Sequence, residues 1–98
     1  MDITLQYFEN CPNWKTAHQR LQDLRDERPD ITVTLQQIET PQEAERAQFH
    51  GSPAILIDGV DPFADAADPV GLTCRRYHTD DGVAGAPTLQ QIRAALPA

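Results

Sequence analysis

The chain has 98 residues, 8 of them basic and 15 acidic, for a formal charge of −7. That length supports one small core, so a single domain over residues 1–98 is expected. The acidic balance repels phosphate backbones and anionic lipid, which argues against nucleic-acid and membrane partners.

No apolar run approaches the roughly 20 residues of a membrane span, and no basic segment followed by a long apolar core opens the chain. Two cysteines in an ordinary composition do not suggest a disulfide-stapled secreted scaffold. The expected compartment is therefore the cytoplasm.

Ile3, Leu5 and Tyr7 alternate with Thr4, Gln6 and Phe8, which predicts a strand over about 2–8. Glu9-Asn10 forms the turn, and Pro12 suits the first helical position, where no N–H is needed. Trp14, Ala17, Leu21 and Leu24 recur at helical spacing and predict a helix over 12–27, closed by Pro29-Asp30. Ile31, Val33 and Leu35 alternate with polar neighbours, giving a second strand over 31–38. Strand, helix, strand favours a parallel pair with a right-handed crossover.

Thr40 and Glu43 match a capping box, with Pro41 between them, and open a short helix that ends near Phe49 at Gly51. The apolar run over 54–57 reads as a strand buried on both faces, ended by Asp58-Gly59. Residues 59–73 form a long loop carrying Asp61, Asp65 and Asp68. Their spacing lacks the alternating pattern of a calcium loop, so a solvated acidic loop is expected. A fourth strand is expected over 73–78, with Arg75 and Arg76 on opposite faces of a solvated edge and Tyr77 a core candidate. Asp81-Gly82 signals a tight turn. Thr88 and Gln91 match a second capping box, opening a helix with Leu89, Ile92 and Leu96 on one face.

Two local features stand out in this order of elements. Cys11-Pro12-Asn13-Trp14 lies between the first strand and the first helix, and Ser52-Pro53 lies just before the third strand. With them the chain resembles the thioredoxin-like superfamily over essentially its whole length. The likeness is closer to small single-domain bacterial members, with C-x-x-W in place of C-x-x-C. The resemblance implies an α/β fold of the form βαβ-α-ββα, with a central mixed four-stranded sheet flanked by helices. It also implies a cis Ser52-Pro53 bond that turns the Ser52 backbone toward Cys11, where it can pair with an extended peptide or a glutathione-like substrate. Substrate contacts then fall to Pro12, Asn13, Trp14, Ser52 and Pro53. The partner is a thiol or disulfide, protein or small molecule, with no cofactor beyond glutathione as a co-substrate.

The residues themselves support thiol chemistry. A thiol at a helix N-terminus faces unpaired N–H groups and the positive end of the helix dipole, which favour the nucleophilic thiolate. The competing reading of Cys11 is a small apolar residue filling a strand–helix junction. Trp14 stands where a dithiol protein carries its resolving cysteine, and an indole cannot resolve a mixed disulfide. A monothiol mechanism is what the motif leaves, with an external thiol finishing the exchange. Trp14 reads equally as a core anchor.

Cys74 is the alternative resolving thiol. In a plain thioredoxin topology it starts a strand at the far end of the sheet, about 17 Å from Cys11, so it is expected to be a buried structural cysteine. The long loop before it weakens that expectation. His18, His50 and His78 show no metal-ligand spacing with either cysteine. Monothiol thiol–disulfide oxidoreductase activity is thus the first reading, and a binding module without turnover is the second. Soft-metal or organomercurial handling comes last, because one cysteine without a nearby thiol is a poor chelator.

Overall fold

The computed structural model describes residues 1–64 and 69–97. Eight elements follow in chain order: β1 (Asp2–Tyr7), α1 (Asn13–Glu27), β2 (Thr32–Gln37), α2 (Pro41–Ala47), β3 (Ala54–Ile57), β4 (Tyr77–Thr79), β5 (Gly82–Ala84) and α3 (Leu89–Ala95). Strands β1 to β3 form a mixed sheet in the order β2-β1-β3, while β4 and β5 form a separate hairpin.

The central strand β1 runs parallel to β2, with Ile3 opposite Val33 and Leu5 opposite Leu35. It runs antiparallel to β3, with Ile3 opposite Ile57 and Leu5 opposite Ile55. The parallel pair is the strand–helix–strand unit that the alternating pattern predicts. Gln6 is buried, and its side-chain amide donates to Gln36 Oε1 at 3.0 Å on the neighbouring strand. That pairing satisfies a polar group that would otherwise be costly in the sheet interior.

Helix α1 buries Ala17, Leu21 and Leu24, the positions expected from its 3.6-residue period. They join Ile3, Leu5, Ile31, Ile55, Ile57, Ala86 and Ile92 in the main core. A second cluster holds Ile38, Ala44, Phe49 and Ala54. Ala54 and Ile55 are neighbours on β3 and must point to opposite faces. The two clusters therefore lie on opposite faces of the sheet, which is why β3 is apolar at every position. Thr40 caps α2, its hydroxyl accepting from Glu43 N at 3.1 Å. Thr88 and Gln91 form the full reciprocal capping box at the start of α3.

The fourth strand is the main departure from expectation. Within 73–76 the pairing is limited to an isolated parallel bridge from Cys74 to Ser52, two residues ahead of β3. Regular pairing starts at Tyr77, and its partner is β5, with Tyr77 opposite Ala84 and Thr79 opposite Gly82. The Asp81-Gly82 turn, with Gly82 at φ +102°, folds the chain back locally and takes up the pairing groups of β4.

Two expectations about side chains are overturned in the same region. Arg75 is not on a solvated edge but buried, in a bidentate pair with Asp61. Asp61 is therefore not part of a solvated acidic loop, and its second role is to accept from Phe63 N at 2.9 Å. Asp65 and Asp68 lie outside the described residues. Tyr77 is buried, as a core candidate should be. Among the described residues no helix is long and apolar enough to cross a membrane.

Candidate functional site

The site forms where β1 hands over to α1. Cys11 N donates to Phe8 O at 3.2 Å and closes the turn. Pro12 is the N-cap of α1 rather than its first residue, with φ −71° and no side-chain cap. No side chain caps the first N–H groups of α1, next to Cys11, although Lys15 N donates to Pro12 O at 3.2 Å. The Asn13 amide nitrogen stands 4.0 Å from Cys11 Sγ. Asn13 fits there because residue 85 is glycine: a Cβ at Gly85 would come within 2.3 Å of the Asn13 side-chain nitrogen. Arg20 of α1 holds that segment in place by donating to Pro87 O at 2.6 Å.

Trp14 is packed as a core anchor. Its ring stacks on Tyr7 at 4.3 Å and packs against the main core. Its indole N–H is buried without a hydrogen-bond partner among the described residues. The ring of His18 lies 6.3 Å from it.

The Ser52-Pro53 bond is cis. Ser52 is fully buried, and its carbonyl oxygen lies 3.5 Å from Cys11 Sγ. The Ser52 hydroxyl oxygen is not free, for it accepts from Phe8 N at 3.3 Å. Nor is the Ser52 backbone open to an incoming peptide. Its N–H donates to Thr73 O at 2.7 Å, and its carbonyl accepts from Arg75 N at 2.9 Å. The chain's own residues 73–75 fill the place where an extended substrate was expected.

This register carries Cys74 to Cys11. The two form a disulfide, with Cα atoms 6.0 Å apart and a sequence separation of 63. The distance lies within the ordinary disulfide range. It replaces the separation of a strand length inferred for a plain thioredoxin topology. Cys74 is not a buried structural cysteine either, for it is exposed while Cys11 is fully enclosed. The premise of a lone thiol, which counted against soft-metal binding, also fails. Among the described residues, however, no group of three or more His, Cys, Asp or Glu side chains could hold a metal ion.

Three features hold the segment in this register, and sequence reasoning missed them. Gly51 has φ +118°, and a Cβ there would stand 3.0 Å from Thr73 O and 3.1 Å from Arg75 Cβ. The buried Arg75–Asp61 pair ties the segment to the preceding loop, and the Arg75 guanidinium stacks 4.8 Å from the Tyr77 ring centre. The Tyr77 hydroxyl donates to Pro53 O. A glycine immediately before Ser52-Pro53 was the available signal, since such a glycine marks close approach of another backbone.

Cys74 opens on a cleft of about 450 Å³, whose wall also includes Arg76, Tyr77, His78 and Gln91. Compared with protein-family models, curated proteins and solved structures, the chain matches none.

Proposed function

We propose that this chain is a thiol–disulfide oxidoreductase on a thioredoxin-like scaffold, using Cys11 and Cys74 as its redox couple. The observation that carries the reading is the Cys11–Cys74 disulfide at the head of α1, beside cis-Pro53. Two thiols within bonding distance supply what the Cys11–Trp14 motif lacks, a partner that can resolve a mixed disulfide. The monothiol mechanism thus gives way to a dithiol one. The substrate is a protein or small-molecule disulfide, with a thiol such as glutathione as the electron source.

The test has two parts. Equilibration in thiol/disulfide buffers of stepped ratio should move the protein reversibly between oxidised and reduced forms. Reduction of a disulfide-linked peptide by dithiothreitol should run faster with wild type than with Cys11→Ala. A bridge that stays oxidised across the range, with no acceleration, would defeat the reading.

That negative outcome would favour a second reading, a binding scaffold in which the bridge is a permanent staple. The enclosure of Cys11 and the occupied Ser52 backbone support it.

A further inference from the structure

The position of Cys11 at the head of α1 marks it as the attacking thiol, yet the two sulfurs differ in access in the opposite sense. Cys11 is 0% exposed. Cys74 is exposed and lines the cleft, whereas Cys11 is absent from its lining. Exchange needs a thiolate to reach the sulfur that it attacks, and access is one of the factors that set the rate. Among the described residues Cys11 presents no surface to an incoming thiolate, and its sulfur lies 3.5 Å from the Ser52 carbonyl and 4.0 Å from the Asn13 amide.

The same enclosure suits Cys11 to another task. A sulfur that leaves as an anion departs faster when the anion is stabilised. Cys11 precedes the uncapped first turn of α1, a helix of 15 residues whose N–H groups carry positive partial charge. The Asn13 amide adds a donor on the same side. Cys74 has neither feature, lying in an extended segment bridged to Ser52.

We infer that Cys74 is the sulfur that exchanges with external thiols and disulfides, and that Cys11 is the enclosed partner that opens and closes the bridge; this rests on the exchange reading above. In the reductive direction an external thiolate attacks Cys74 Sγ. A new sulfur–sulfur bond forms there, the Cys11–Cys74 bond breaks, and its electron pair leaves on Cys11 as thiolate. A second external thiolate then attacks the external sulfur of the mixed disulfide. The external disulfide departs, and Cys74 is left as thiolate. Both cysteines are now reduced, and two external thiols have become one disulfide. In the oxidative direction the Cys74 thiolate attacks a substrate disulfide and releases one substrate thiolate. Cys11 thiolate then attacks Cys74 Sγ, closes the bridge and releases the other.

The order of reactivity can be read on unaltered protein. Reduced wild type is treated with limiting iodoacetamide and digested with trypsin. Cys11 and Cys74 then fall in separate peptides, Met1–Lys15 and Ala47–Arg75. Labelling should favour Cys74 by about tenfold or more, as expected for an accessible against an enclosed thiol. In parallel, Cys11→Ala treated with 5,5′-dithiobis(2-nitrobenzoate) should form a persistent mixed disulfide at Cys74, faster than Cys74→Ala forms one at Cys11. Turnover of the disulfide peptide with Cys11 labelled first would overturn the assignment of roles and leave the exchange reading standing. Absence of turnover would overturn the exchange reading itself, and the assignment with it.

Discussion

Breaking the Cys11–Cys74 bridge should cost the fold several kilocalories per mole, and the size follows from its span. The bond joins residues 63 positions apart. Closing a loop of that length removes enough freedom from the unfolded chain to stabilise the native state by about 4 kcal/mol at 25 °C on the chain-entropy account. The native segment should survive reduction, because Gly51, the Arg75–Asp61 pair and the Tyr77–Pro53 hydrogen bond hold it without the bond. The comparison is urea unfolding of oxidised wild type, of wild type reduced with a phosphine, and of Cys74→Ser in oxidising buffer. With a slope of about 1.5 kcal/mol per molar urea, the oxidised midpoint should lie roughly 2–3 M above the other two. Cys74 is exposed, so its replacement should add no more than about 0.5 kcal/mol beyond loss of the bond. Cys11→Ser should be worse than Cys74→Ser by about 1 kcal/mol or more, because it brings a hydroxyl into a fully enclosed position. Coincident curves for oxidised and reduced wild type would refute the pairing of these two cysteines. Equal curves for the two serine variants would refute the difference in burial.

Four further outcomes follow from the same geometry. Gly51→Ala should destabilise by about 2 kcal/mol in thermal or urea melts, since it combines a positive φ with contact against the Thr73 carbonyl. Asp61→Ala should cost about 3 kcal/mol by leaving the Arg75 charge buried and unpaired, and the double variant Asp61→Leu/Arg75→Met should recover most of it. Asn13→Ala and Gly85→Ala should slow reduction of the bridge by dithiothreitol to a similar degree, and the double variant should be no slower than either, because the glycine acts by making room for the amide. Reduced wild type should take up one mercuric ion per chain with both cysteines protected from alkylation, while Cys74→Ser should bind it no more tightly than an ordinary thiol.

What could be read from the chain alone was whatever depends on neighbours in sequence. The alternation of Ile3 and Leu5, the stripe of Ala17, Leu21 and Leu24, and the Thr88–Gln91 box each specify an element locally, and each element is present. The handover from β1 to α1 puts Cys11 beside the helix start for the same reason. The position of Cys74 depends instead on how the chain returns after β3, and no period encodes that return. The assumption that β3 would be followed by a regular antiparallel neighbour sent Cys74 to the wrong end of the sheet. Arg75 was misread by the same mechanism. Its partner Asp61 lies 14 positions away on the returning loop, so an arginine in an apparent strand looked like a solvated edge. A burial pattern read along one strand cannot show a charge that is neutralised from outside that strand.

The long span of the couple has a consequence that a local C-x-x-C pair does not share. By the thermodynamic cycle linking folding and oxidation, whatever the bridge contributes to the folded state, the folded state contributes to the bridge. At about 4 kcal/mol, folding makes this disulfide roughly a thousandfold harder to open than the same pair in an unfolded chain. That factor depends on keeping Thr73, Cys74 and Arg75 beside Ser52. Asp61 and Gly51 therefore bear on the stability of the bridge although neither touches a sulfur. A change at either one loosens the register, lowers the local concentration of one thiol at the other, and makes the bridge easier to reduce in the folded protein. Pro12 and Trp14 sit inside the motif but do not act in this way, since neither holds the 73–75 segment. The stability of the bridge is thus governed from outside the motif, by the contacts that bring residues 73–75 to the head of α1.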